Sequence, residues 1–173
     1  MLDTSNAGDS NCQYMVDPQR TQQVLINLLS NATKFSPKNE RIILSAAVFC
    51  SDEPSKEVEI RFAVIDHGIG IEKEVQNRIF EQFYKSQNSR VRELNPYGNG
   101  IGLSISKEIS KALKGDITVF SEVDKCACFD FYFPSILCDN IVAVKKEKKK
   151  AKAIVLAPEK LNASTSMTGL IEQ

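Results

Sequence analysis

Between Asp17 and Phe35 the apolar residues fall on one helical face. At about 100° per residue Leu25, Leu28, Leu29 and Ala32 cluster opposite Arg20, Gln23, Asn27, Asn31 and Lys34. Asp17 suits the N-cap, Pro18 suits the first turn, and the pattern ends before Pro37, so a helix is predicted over this span. The pattern then changes to that of strands over 41–49 and 58–65. In the second, Val58, Ile60, Phe62 and Val64 alternate with Glu59 and Arg61, as a sheet with one buried face requires. A short helix is predicted from about Glu72 to Phe80, burying Val75 and Ile79.

From Lys85 to Tyr97 no periodic apolar face remains, and the stretch reads as a loop. Gly98 to Gly102 then opens a helix with Ile101, Ile105, Ile109 and Leu113 at helical spacing and Gly115 placed to end it. Residues 117–120 and 128–133 read as a closing hairpin with Phe129, Phe131 and Phe133 on one face. After Pro134 the globular pattern fades. Six lysines lie between Lys145 and Lys152, and 135–173 is expected to be a disordered, lysine-rich linker or tail. Residues 1–13 form a polar N-terminal remnant, leaving 14–134 as the folded domain.

Composition narrows the function classes. A chain of 173 residues with 42% apolar content supports one core of ordinary size. Basic and acidic residues both total 22, so no overall basic field exists to hold a nucleic-acid backbone. No apolar run has the length of a membrane span, so direct membrane insertion is not expected. Five cysteines form an odd set without C-x-x-C spacing; a reducing compartment, the cytoplasm, is the simpler expectation than disulfides or zinc.

Four short boxes carry the chemistry: Asn27-x3-Asn31-x2-Lys34-Phe35, Asp66-x-Gly68-x-Gly70, Phe80-Glu81-Gln82-Phe83 and Gly98-x-Gly100-x-Gly102. A side-chain amide oxygen is a neutral hard ligand, so Asn31 suits Mg²⁺ otherwise held by phosphate and water. Lys34, on the same face, would set a cation beside phosphates. The competing reading is a merely solvated helix face, although Asn is a poor helix former. Asp66 follows an apolar strand and precedes two glycines, where a carboxylate accepts from an adenine amino group; a strand-ending Asp-Gly turn is the alternative. Glycines opening a helix would turn backbone N–H groups and a positive dipole end toward phosphate.

These boxes, in this order, resemble the ATP-binding catalytic domain of sensor histidine kinases, within the superfamily that includes type II topoisomerases, heat-shock chaperones and mismatch-repair ATPases. The resemblance implies a two-layer α/β sandwich, a mixed β-sheet against about three helices, with a mobile ATP lid over roughly Tyr84 to Gly98. By the same resemblance Asn31 is the Mg²⁺ ligand, Asn27 and Lys34 face the phosphates, Phe35 borders the base and Asp66 reads its amino group. Gly68, Gly70 and Ile71 shape the adenine pocket, Lys85 reaches the γ-phosphate, and Gly100, Ile101, Gly102 and Leu103 form the phosphate and base-side wall. The cofactors implied are ATP and Mg²⁺.

Hydrolytic members of the superfamily place a glutamate where this chain has Asn27, and an amide cannot take a proton from water. ATP is therefore expected to be held rather than hydrolysed, for transfer to a histidine elsewhere. His67, the only histidine, lies inside the first glycine box and is read as a pocket-rim residue. The expected partner is a helical hairpin carrying the acceptor histidine, supplied by a missing segment or another chain within a kinase dimer, with a receiver domain downstream. A docking module of the same fold and a hydrolytic ATPase are the alternatives.

Overall fold

The computed structural model describes residues 13–50, 56–137 and 150–156. Helix α1 is Pro18–Phe35; β1 is Ile42–Cys50 and β2 is Glu57–Asp66. After two single 3₁₀ turns come α2 (Ser89–Leu94), α3 (Gly102–Ala112), β3 (Asp116–Glu122), β4 (Cys126–Ile136) and β5 (Lys150–Leu156). The strands form one sheet in the order β3-β4-β2-β1-β5, and α1 and α3 pack on one of its faces.

Helix α1 begins where predicted: the Asp17 carboxylate accepts from Arg20 N–H at 2.9 Å, and Pro18 occupies the first turn. It stops at Ser36, which is extended, as a residue before proline tends to be. Its buried face (Val24, Leu28, Leu29 and Ala32) meets Val58, Ile60 and Val64 of β2 and Phe129, Phe131 and Phe133 of β4 in a single core. The aromatic rings are in contact, with Phe131 and Phe133 centroids 5.2 Å apart and Phe62 6.1 Å from Phe131.

The two-layer sandwich is as expected, but the sheet is not mixed, because every described ladder is antiparallel. The connections explain this: β1–β2 and β3–β4 are hairpins, and no strand–helix–strand crossover returns a parallel neighbour. The expected helix at 72–80 is instead the pair of 3₁₀ turns Lys73–Val75 and Arg78–Phe80, leaving Val75 and Ile79 half-buried. The supposed loop at 85–97 contains α2. It lacks an apolar face and is held by an Asn88 N-cap that accepts from Arg90 N–H at 3.0 Å.

The domain does not end at Pro134. Strand β4 continues to Ile136, and Leu137 bridges to Tyr14, which gives the chain an extended stub before α1. Nor is 135–173 a linker throughout, since Lys150–Leu156 pairs along the outer edge of β1 from Ile42↔Leu156 to Val48↔Lys150. The segment joins β-branched Ile154 and Val155 to lysines, a composition suited to an edge strand. Most of the lysine run, 145–149, and residues 1–12 lie outside the described residues.

Helix α3 is rotated from expectation. Ser104, Ser106 and Ser110 are buried along with Ile109, while Ile105 is 44% exposed. The hydroxyls satisfy themselves locally, Ser104 on Ile101 O and Ser110 on Lys107 O, so small side chains let α3 approach its neighbours closely. The left-handed residue ending α3 is Lys114, with φ 61°, and not Gly115. Gly115 is required for a different reason: a Cβ there would lie 1.8 Å from Tyr132 O. We predict that Gly115→Ala lowers stability by on the order of 1–3 kcal/mol through forced separation of α3 from β4. Urea denaturation would check it, and an unchanged midpoint would refute the close-approach argument.

Candidate functional site

The site is built where the end of α1 meets the loop after β2. Ile69 N–H donates to Phe35 O at 3.2 Å, and a Cβ on Gly68 would lie 2.3 Å from that same oxygen, so only glycine permits the contact. Asp66, 3% exposed, lies at the floor, where its carboxylate accepts from Gly68 N–H at 3.0 Å. Burial pushes the Asp66 carboxyl above its ordinary range. The Gly68 N–H, the neighbouring His67 and the Ala127 N–H pull in the opposite direction. His67 itself is exposed, its Nδ1 3.4 Å from Arg41 O, consistent with a rim position.

The far side of this loop is braced by β3 and the β3–β4 turn. Gly70 adopts φ 66° and packs against Glu122, where a Cβ would come within 2.2 Å of its carbonyl oxygen. Ile71 N–H donates to Ser121 Oγ at 2.8 Å, and the Gln76 amide donates to both Ile71 O and Ser121 O at 2.9 Å. Asp124 N–H closes the brace on Ile69 O at 2.9 Å. Gln76, Ser121 and Asp124 carry no motif. They were missed because their roles depend on contacts across roughly fifty residues of chain.

On α1, Asn31 is half-buried and Lys34 exposed; among the described residues neither has a side-chain hydrogen bond or ion pair. Asn27 is engaged. Its Nδ2 donates to buried Ser106 Oγ at 2.8 Å, and its Oδ1 lies against Gly102, so it ties α1 to the first turn of α3. Half-buried Ile101 and Leu103 flank Gly102. The two ends of the segment carrying α2 are joined, since Phe83 N–H donates to Gly100 O at 3.0 Å. Lys85, just beyond that junction, is exposed and has no ion-pair partner among the described residues.

The geometry therefore joins Phe35, Asp66, Gly68 and Ile69 at one junction and Asn27, Gly102 and Ser106 at another, both on α1. Because Asp66 titrates higher in the folded protein than when unfolded, its contribution to stability is full below the unfolded pKa and is lost as pH rises through the folded one. Ionising Asp66 therefore costs the folded protein stability. We predict that Asp66→Asn, which retains an oxygen for Gly68 N–H, is at least as stable as the parent at pH 7, with its advantage vanishing in acid. Thermal denaturation across pH would test this; a variant less stable at pH 7 than in acid, relative to the parent, would refute it.

Comparisons with known proteins bear on the family and the fold. Residues 16–136 match the family described as histidine kinase-, DNA gyrase B- and HSP90-like ATPase. The sensor protein EvgS of Escherichia coli O157:H7 is 33% identical over 147 residues, 85% of this chain but 11% of that protein. Sensor histidine kinase WalK of Bacillus subtilis is 34% identical over 129 residues, 75% of this chain and 20% of that protein. The chain thus spans a fifth or less of the length of these relatives. Among solved structures, full-length ShkA in complex with AMPPNP aligns with TM-score 0.57 and 30% identity over 74% of this chain and 24% of that one. The nucleotide-free catalytic domain of histidine kinase ThkA aligns with TM-score 0.52 and 28% identity over 69% of each chain. With the family match covering the core from the stub before α1 to the end of β4, the chain belongs to the histidine kinase-, DNA gyrase B- and HSP90-like ATPases.

Proposed function

We propose that this domain holds Mg-ATP and presents its γ-phosphate to a histidine on a helical hairpin outside the sequence, as the catalytic part of a sensor histidine kinase. The observation that carries this reading is the Phe35–Gly68 junction. It sets the buried Asp66 carboxylate beside the helix that bears the unengaged Asn31 and Lys34. Asp66 would accept from the adenine amino group and reject guanine, which offers a carbonyl there. Lys34, Lys85 and the N-terminus of α3 behind Gly100 and Gly102 would meet the phosphates, and Phe35, Ile71, Ile101 and Leu103 would line the base side. The nucleotide analogue held by ShkA supports the ligand class.

The donor set fits Mg²⁺. Asn31 offers a neutral oxygen without a protein partner, and no cluster of three His, Cys, Asp or Glu suited to a metal occurs among the described residues. A metal here would take its remaining ligands from phosphate and water, and when bound would neutralise charge on the transferring group. Asn27 supports transfer over hydrolysis, because its amide is no base and is engaged by Ser106. Cys50, Cys126 and Cys128 are free thiols, which supports a reducing compartment, the cytoplasm; no described helix is long and apolar enough to cross a membrane. A kinase dimer and a downstream receiver domain are the partners expected by analogy with the multidomain relatives.

Calorimetry separates the roles. Asn31→Ala should weaken Mg-ATP by roughly tenfold or more while leaving metal-free ADP nearly unchanged, whereas Asp66→Asn should weaken both nucleotides alike. Unchanged affinity in both folded variants would overturn the site and favour a docking module. Phosphate release at saturating ATP should be negligible for the chain alone; turnover on the order of 1 s⁻¹ or faster would refute the transfer reading and revive the hydrolytic one.

A further inference from the structure

Three basic residues ride on or beside α2, and the structure gives each a different situation. Lys85 has no ion-pair partner among the described residues. Arg92 turns back into its own segment, its Nη2 donating to Gln87 Oε1 at 2.5 Å and its Nε to Ser86 O at 3.4 Å. Arg90 reaches out, and its Nη1 meets Asp124 Oδ1 at 2.5 Å across 34 positions of chain.

The partner it reaches is part of the brace behind the loop bearing Asp66. Asp124 sits in the β3–β4 turn with φ 58°, and its N–H donates to Ile69 O. The same turn is locked to Gly70 and Ile71 through Glu122 and Ser121. Turn and loop therefore form one body, while α2 also approaches α1 on the other side. The other side-chain ties from this segment to elements preceding it are Asn88 Nδ2 to Glu72 Oε1, at a long 3.3 Å, and the Arg78 guanidinium over the Tyr84 ring, 5.2 Å from its centroid.

We propose that the Arg90–Asp124 pair is a latch, with Asp124 a positioning residue that holds α2 to the adenine-side loop and so sets the rate of nucleotide exchange. This inference rests on the nucleotide-binding reading above for its second half only. The pair is exposed, at 55% and 62% for the two side chains, and a pair of that kind biases an equilibrium by about fivefold at most. That strength suits a latch, since it delays opening without preventing it. The remaining ties, at Glu72, at Arg78 and against α1, do not reach the β3–β4 turn, so loss of Asp124 charge should free α2 from the loop while leaving the loop's own brace intact.

Asp124→Asn is the chosen variant because asparagine tolerates a positive φ and keeps the backbone bond to Ile69, removing only the charge. In ligand-free protein, amide exchange within Ser89–Leu94 should rise about two- to fivefold, with exchange at Ile69 to Ile71 unchanged. The wild-type rate should rise with added salt while the variant's does not. With a fluorescent ATP analogue in stopped flow, association and dissociation should both accelerate, leaving affinity within about twofold. Arg90→Gln should give the same rise, and combining it with Asp124→Asn should add nothing further, as expected if the two residues act through one pair. Equal α2 protection in variant and parent would overturn the latch whatever the nucleotide does, and faster exchange of Ile69 to Ile71 would show Asp124 to be only a structural part of the turn. If the parent binds no nucleotide, the nucleotide-binding reading fails, and the ligand-free exchange still decides the latch.

Discussion

The candidate site depends on one close approach, the backbone of Gly68 lying against the Phe35 carbonyl at the end of α1. The last turn of a helix leaves carbonyl groups without intrahelical partners, and here Ile69 N–H supplies one of them. That bond fixes the loop after β2 to the helix bearing Asn31 and Lys34, so a carboxylate from a strand and an amide from a helix come to share one surface. A side chain at Gly68 would separate the two elements and move Asp66 away from the helix.

Asn27 performs the corresponding task about two helical turns earlier. Its amide donates to Ser106, a residue buried in α3, and its oxygen faces Gly102, so α1 holds both the loop after β2 and the first turn of α3. The buried serines of α3 make this possible, because isoleucine in their place would hold the helices apart. A neutral amide also costs less to half-bury than the carboxylate that a hydrolytic site would need there. The amide at this position therefore supplies a cross-helix tie.

The legible parts of this chain are those where burial and local chemistry agree. The Asp17 cap, the alternation of β2 and the phenylalanine face of β4 each follow from spacing alone, and so does the placement of Asp66 ahead of two glycines. The misread parts are those where partners distant in sequence decide. Helix α2 has no apolar face and exists through its cap and its ion pair to Asp124, and β5 is defined by the open edge of β1 rather than by its own lysine-rich composition. The isoleucine spacing in α3 pointed to one face while serines took the core, because close helix approach outweighed apolar burial at those positions. Strand polarity likewise depended on connections that periodicity does not report.

These contacts grade in strength from the floor of the site outward. At the floor, a backbone bond joins Ile69 to Phe35, the buried Asp66 carboxylate holds Gly68 N–H, and the part-buried Gln76 amide makes two further bonds behind them. At the next level a half-buried amide holds α3. At the rim, α2 approaches α1 but is tied by side chains through the Arg90–Asp124 and Asn88–Glu72 pairs, which compete with water and salt. A site that must recognise one base yet release its nucleotide needs this order: rigidity where the hydrogen-bonding pattern of the base is read, and a small free-energy difference where the segment above it opens. Reversing the order would bind tightly without discriminating, since a fixed rim over a loose floor traps any ligand of suitable size.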